Sequence, residues 1–172
     1  REASHAAALS ALIAGNWKMN KTLNETETLL SELSAKVPDT HAQVIVAPTF
    51  VSLVAAKYSL QSSTIQVAAQ NMHFAESGAY TGEISADMLL DIGLDTVILG
   101  HSERRALFGE DDALLAKKVE SFWLMSLFGP LVLAKRLAPN KHKKCMPLSE
   151  KLLQKPIMTL LPITYRFYME EV

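Results

Sequence analysis

Along the first 120 residues, short unbroken apolar runs alternate with stretches in which apolar residues recur every three or four positions. Leu12-Ile13-Ala14 ends at Gly15, Val44 to Ala47 stops at Pro48, and Ile65 to Ala69 and Thr96 to Gly100 follow. A run without polar alternation is the pattern of a strand buried on both faces. Between these runs the period changes. Asn24, with Glu27 three residues on, reads as a capping box that opens a helix. Leu29, Leu30 and Leu33 follow at helical spacing, and Lys36 falls in the last turn before Pro38. Val51, Leu53, Val54 and Ala55 predict a short helix, Ala86 to Ile92 another that Gly93 stops, and Ala106 to Val119 a third. Strands separated by helices predict parallel βαβ units, four of them in this stretch. That number fits a doubly wound sheet or half of a (β/α)8 barrel, and periodicity does not choose.

Composition changes the picture at one point in the chain. Overall the 172 residues are 49% hydrophobic and 20% charged with a net charge of −1, which is ordinary for one globular domain. The balance argues against a dedicated nucleic-acid or membrane-surface protein, and no apolar run reaches the ~20 residues that span a bilayer. Ala6 to Ala14 reads as the lead-in to the first strand, with a signal peptide as the lesser alternative. The single cysteine, Cys145, excludes an internal disulfide framework and has no metal-ligand spacing around it. Divided after Glu120, however, the chain splits into unlike parts. Residues 1–120 hold 9 Lys and Arg against 15 Asp and Glu, whereas 121–172 hold 8 against 3, together with 5 of the 7 prolines. A single folded domain does not usually switch style in this way.

Polar residues just after the predicted strands carry the chemistry, because parallel α/β folds gather their sites at the carboxyl ends of strands. Gly15-Asn16-Trp17-Lys18-Met19-Asn20 follows the first, Ala69-Gln70-Asn71 ends the third, and Gly100-His101-Ser102-Glu103-Arg104-Arg105 follows the fourth. A lysine, an amide and a histidine converging on one mouth suit a small anionic substrate. With Gly78-Ala79-Tyr80-Thr81-Gly82-Glu83-Ile84-Ser85, these four segments resemble the triosephosphate isomerase family, in its order and spacing, over about residues 11–120. The resemblance implies an α/β fold of the (β/α)8 TIM barrel type, with only about the first half, four βα units, recognisable here.

It also implies a reaction and roles. The family interconverts dihydroxyacetone phosphate and glyceraldehyde 3-phosphate in glycolysis and gluconeogenesis, as a cytoplasmic homodimer without cofactor or metal. The proton moves between adjacent carbons through an enediolate, which needs a base at carbon and a donor serving both oxygens. By resemblance His101 is that electrophile; in this family the histidine is a known worked case of an imidazole kept neutral by a helix N-terminus. Lys18 and Asn16 would bind substrate, and Glu103 and Ser102 would support them. Gln70 to Ser85 resemble the loop that would meet a partner subunit, with Thr81 as the contact and a buried Glu83–Arg104 ion pair holding the loop. Taken alone, a histidine at a strand end is most often structural; four motifs in register outweigh that reading.

The family's general base is a glutamate in a Tyr-Glu-Pro-Val-Trp-Ala-Ile-Gly-Thr-Gly segment, and a Tyr-Gly-Gly-Ser segment supplies phosphate-binding N–H groups. Neither string occurs in the 172 residues. Yet Phe122 to Ala134 can be encoded by a string that, read one base earlier, yields Leu-Ala-Tyr-Glu-Pro-Val-Trp-Ala-Ile-Gly-Thr-Gly. Trp123 and Met125 have single codons, which limits the freedom. In the same shifted frame Arg136 to Met146 can yield Thr-Ala-Ser-Pro-Glu-Gln-Ala-Gln-Glu-Val-His, and Arg166 to Val172 can yield Ile-Leu-Tyr-Gly-Gly-Ser. The sequence therefore reads as an N-terminal half-barrel, 1–120, followed by an out-of-frame tail, 121–172, with no assignable function; the basic cluster Lys141-His142-Lys143-Lys144 is a codon accident on this reading. Two expectations follow: an isomerase-family chain impaired by its missing base, or a non-catalytic remnant of that enzyme. A different phosphate-binding barrel enzyme is a third, weaker reading.

Overall fold

A computed structural model describes residues 12–37, 42–125, 131–134 and 167–171. Residues Ala6 to Ala11 of the expected lead-in, the basic cluster, Cys145 and most of the shifted-frame segments lie outside them. In chain order the elements are β1 (Leu12–Asn16), α1 (Leu23–Lys36), β2 (Gln43–Ala47), a 3-10 turn (Phe50–Ser52), α2 (Leu53–Ser59), β3 (Gln66–Val67), α3 (Ala86–Asp91), β4 (Thr96–Leu99), α4 (Ser102–Leu107), α5 (Asp112–Met125), β5 (Leu131–Ala134) and β6 (Phe167–Glu171).

Every strand pair is parallel. β1 lies between β2 and β6, β3 extends the sheet beyond β2, and β4 pairs with β5. A bridge from Ala69 to Val97 joins the two groups: Ala69 N–H donates to Thr96 O at 3.0 Å and Ile98 N–H to Ala69 O at 2.8 Å. The spatial order is thus β6-β1-β2-β3-β4-β5, an arc in sequence order with the last strand beside the first. A (β/α)8 barrel is built on this succession, and a doubly wound sheet, whose order reverses at a switch point, is not.

Successive side chains on a strand point to opposite faces, and both faces here are apolar. Leu12, Ala14, Ile45, Ala47, Ala68 and Ile98 form a small cluster on one face. Val46, Val67, Val97 and Leu99 join a larger core on the other, with Leu30, Leu53, Leu89, Leu115 and Phe122 from the helices. Burial on both faces is why these strands lack polar alternation. Ile13, on the opposite face of β1 from Leu12 and Ala14, is 44% exposed.

Three boundaries differ from the sequence expectation. Helix α1 starts two residues earlier: Thr22, not Asn24, is its N-cap, and Glu25 closes the capping box. Glu25 Oε2 accepts from Thr22 N–H at 2.8 Å, and Thr22 Oγ1 accepts from Glu25 N–H. Two Thr/Asn-x-x-Glu patterns are nested here, and the upstream one adds residues to the helix. The expected helix from Ala106 to Val119 is two, α4 beginning at Ser102 and α5 at Asp112, because Gly109 takes a positive φ of 67° between them. β3 is only two residues long, with Ala69 contributing a single bridge. Helix α5 also runs unbroken through the compositional boundary at Glu120, and Phe122 is fully buried.

Candidate active site

The end of β1 turns sharply. Lys18 has φ of 54°, a left-handed conformation that costs a non-glycine residue on the order of 1 kcal/mol or more. Two side chains hold it there. Asn16, 8% exposed at the last position of β1, accepts the Lys18 N–H on Oδ1 at 3.0 Å. Gln70, just past β3, donates its amide to Lys18 O and to Ala47 O, both at 2.8 Å. Gln70 thus ties the ends of β1, β2 and β3 into one rim.

The end of β4 supplies the other half. Gly100, at φ 69°, turns the chain so that His101 becomes the N-cap of α4. His101 is 7% exposed, and its Nδ1 accepts the Glu103 N–H at 3.2 Å. The Glu103 carboxylate approaches the same nitrogen only to 3.6 Å, beyond hydrogen-bond length. Nδ1 therefore serves as acceptor, and the proton of the neutral ring sits on Nε2. Ser102, the first residue of α4, is half-buried.

Glu103 joins the halves. Its Oε1 pairs with Lys18 Nζ at 2.9 Å while its Oε2 faces His101. The structure thus brings Asn16, Lys18, Glu103 and His101 to one rim, from strand ends 85 positions apart in sequence between Asn16 and His101. An ammonium, a buried amide and an imidazole with an N–H to donate can together hold an anion and polarise a carbonyl oxygen.

The loop residues fall differently. Thr81 and Glu83 are exposed. The expected Glu83–Arg104 pair does not form; Arg104 Nε instead binds Glu110 Oε1 at 2.6 Å. Glu110, buried to 4% exposure, takes Lys118 Nζ on the same oxygen at 2.6 Å, and Lys118 also donates to Asn71 Oδ1 at 2.8 Å. Glu110 is six residues from Arg104 across the Gly109 turn, closer and drier than the exposed loop carboxylate. Burial pushes the Glu110 carboxyl up, but the bonds and charges of Lys118 and Arg104 outweigh it and hold it below the usual carboxylate range. The sequence reading missed this cluster and the role of Gln70. Gln70-Asn71 at a strand end was the available signal, whereas Glu110 and Lys118 carry no local motif.

Among the described residues no helix is long and apolar enough to cross a membrane. The sequence model of the triosephosphate isomerase family matches residues 11–132, 12 beyond the compositional boundary. The chain is 64% identical over 112 residues to a triosephosphate isomerase of Flavobacterium johnsoniae, covering 64% of this chain and 45% of that protein. It is 59% identical over 111 residues to that of Flavobacterium psychrophilum, covering 64% and 44%. Against the Clostridium beijerinckii enzyme it is 56% identical over 110 residues, again 64% and 44%. The chain thus spans less than half the length of these curated relatives. Matched through most of its described strands and helices, the chain belongs to the triosephosphate isomerase family.

Proposed function

We propose that the Asn16–Lys18–His101 rim is built for the family's reaction, the interconversion of dihydroxyacetone phosphate and glyceraldehyde 3-phosphate. The observation that carries this is the gathering of Asn16, Lys18 and His101 around Glu103 at the ends of β1 and β4, with Glu103 paired to Lys18 at 2.9 Å. A phosphate dianion competes with Glu103 for Lys18, and Asn16 holds the lysine backbone in the strained form that faces the mouth. His101 donates its Nε2–H to the substrate oxygens in turn; a neutral imidazole, near in proton affinity to the enediolate, shuttles that proton better than an imidazolium. Ser102 and Glu103 position these groups. No cofactor enters the reaction.

The step at carbon needs a carboxylate base, and the family's base segment is absent from the 172 residues. The chain as written is therefore an impaired isomerase, with residues 121–172 an out-of-frame reading of the family's last third. A non-catalytic remnant is the second reading, favoured by the exposure of Ile13 on the outer face of β1. The pairing of the full chain with a second copy is part of the proposal. Met19 and Val51, 94% and 84% exposed, flank an open depression lined also by Asn20, Lys21, Thr22, Glu25 and Thr49. Apolar side chains around such a depression suit a partner loop carrying Thr81 and Glu83. The setting is the cytoplasm, as for a glycolytic enzyme.

A dehydrogenase-coupled assay of pure protein tests the reading. Turnover several orders of magnitude below that of a full-length relative is expected, and normal turnover overturns the impairment. In an in-frame repaired version, with the missing segment after Glu120 also restored, activity should return and then collapse with His101→Gln or Lys18→Ala. Survival of activity in those variants overturns the assigned roles.

A further inference from the structure

Among the described residues two that are not glycine take a positive φ, Lys18 at 54° and Lys21 at 72°, and both lie in the turn after β1. Such a backbone is disfavoured by about 5- to 30-fold in population per residue, so the turn needs support. Side-chain amides supply it. Asn16 accepts the Lys18 N–H, and Asn20 donates Nδ2 to Trp17 O at 2.9 Å; both belong to the turn and move with it. Gln70 comes from outside. Its Nε2 donates to Lys18 O and to Ala47 O, each at 2.8 Å. Ala47 O also takes the Trp17 N–H at 3.1 Å, so the turn and Gln70 share an acceptor at the end of β2. Gln70 is itself anchored on both sides. Ala69 bridges to β4, and Asn71 takes Lys118 Nζ on Oδ1 at 2.8 Å.

We propose that Gln70 is a positioning residue for anion binding: by holding the Lys18 carbonyl from the end of β3, it keeps Lys18 in the left-handed conformation and so sets the affinity of the rim for phosphate. The inference rests on Lys18 being an anion-binding residue, as proposed above. Gln70 acts through the lysine and not through the ligand, since both protons of its Nε2 are spent on the two carbonyls. Methionine at this position has similar length and no donor. It leaves Lys18 O and Ala47 O without the amide, and Lys18 relaxes toward ordinary backbone. A binding-competent form populated to a fraction f weakens the apparent affinity by 1/f. The backbone penalty then reappears as binding about tenfold weaker.

Titration of the full chain with inorganic phosphate, followed by phosphorus NMR at low salt, tests this. Gln70→Met should bind phosphate about tenfold more weakly than the unsubstituted chain. Lys18→Ala should also weaken binding, and Gln70→Met added to it should cost nothing more, the non-additivity of residues that act as one. Hydrogen exchange at the Lys18 amide should quicken in Gln70→Met, because its bond to Asn16 depends on the same turn. Gln43→Met, the same change at the exposed amide that donates to Gln66 Oε1 at 2.8 Å, should leave affinity unchanged. If Gln70→Met does not fold, Gln70→Asn is read in its place; it keeps the amide but is one methylene too short to span both carbonyls. Unchanged affinity in the Gln70 variant, with Lys18→Ala still weakening binding, overturns the positioning role while leaving the anion site standing. A full further loss on top of Lys18→Ala shows that Gln70 acts by another route and overturns it too. No phosphate binding by the unsubstituted chain, or binding indifferent to Lys18→Ala, overturns the anion site and this inference together.

Discussion

Glu110 and Lys118 form a buried ion pair, Oε1 to Nζ at 2.6 Å, with side chains 2% and 4% exposed. The same oxygen also takes Arg104, while Oε2 is buried without a hydrogen-bond partner among the described residues. Asn71, Arg104, Glu110 and Lys118 thereby pin α4 and α5 to the end of β3. Removing one partner of such a pair strands a charge in a dry site, which typically costs about 3–5 kcal/mol. Glu110→Gln and Lys118→Met are each expected to lose stability on that scale in urea unfolding. The double variant should lose clearly less than the sum, the signature of direct coupling.

The same carboxylate sets an acid limit. Its folded pKa is held below the ordinary value of 4.5, so the unfolded chain binds the proton more readily than the folded one. Its stabilising contribution is present above that ordinary value and is lost as pH falls through the lower folded value. Unfolding free energy should therefore drop with acidification in that window, and the drop should be shallower in Glu110→Gln. An identical pH dependence in both proteins would show that another group governs acid stability.

The nested caps of α1 make opposite forecasts. Thr22→Ala removes the Oγ1 acceptor for the Glu25 N–H, and loss of such a cap costs about 1 kcal/mol. Asn24→Ala, inside the first turn, should cost a few tenths at most and can gain from the better helix propensity of alanine. Thermal denaturation of the two variants distinguishes the caps.

Gly100 turns β4 toward His101 at φ 69°, and a Cβ there would meet Leu115 Cδ1 at 3.0 Å. Gly100→Ala should cost about 1–2 kcal/mol from the backbone conformation alone, with the leucine clash added. Because the turn aims His101, activity in the tail-repaired protein should fall by more than folding stability explains.

Much of this was legible in the sequence because the relevant signals are local. Unbroken apolar runs at Val44 to Ala47 and Thr96 to Leu99 announce strands covered on both sides, and Asn16, Lys18 and His101 sit where parallel strands end. Residues that act across long separations left no such trace. Gln70 reaches back 52 positions to Lys18 O, and Lys118 reaches 47 to Asn71. The expected Glu83–Arg104 pair failed for a related reason: opposite charges in a sequence propose many partners, and burial around Glu110 selects one. The nested capping boxes were ambiguous because both satisfy the same spacing, and only the observed hydrogen bonds separate Thr22 from Asn24.

The ladder between β1 and β6 has a consequence for synthesis. Leu12 pairs with Phe167, 155 positions later, so this seam waits until β6 has left the ribosome, whereas β1, β2 and β3 can zip together while translation continues. During that interval the nascent protein carries a bare backbone edge along β1. Long-range parallel pairing is slow because loop closure precedes any reward, and that interval is when a chaperone or a neighbouring nascent chain has its opportunity.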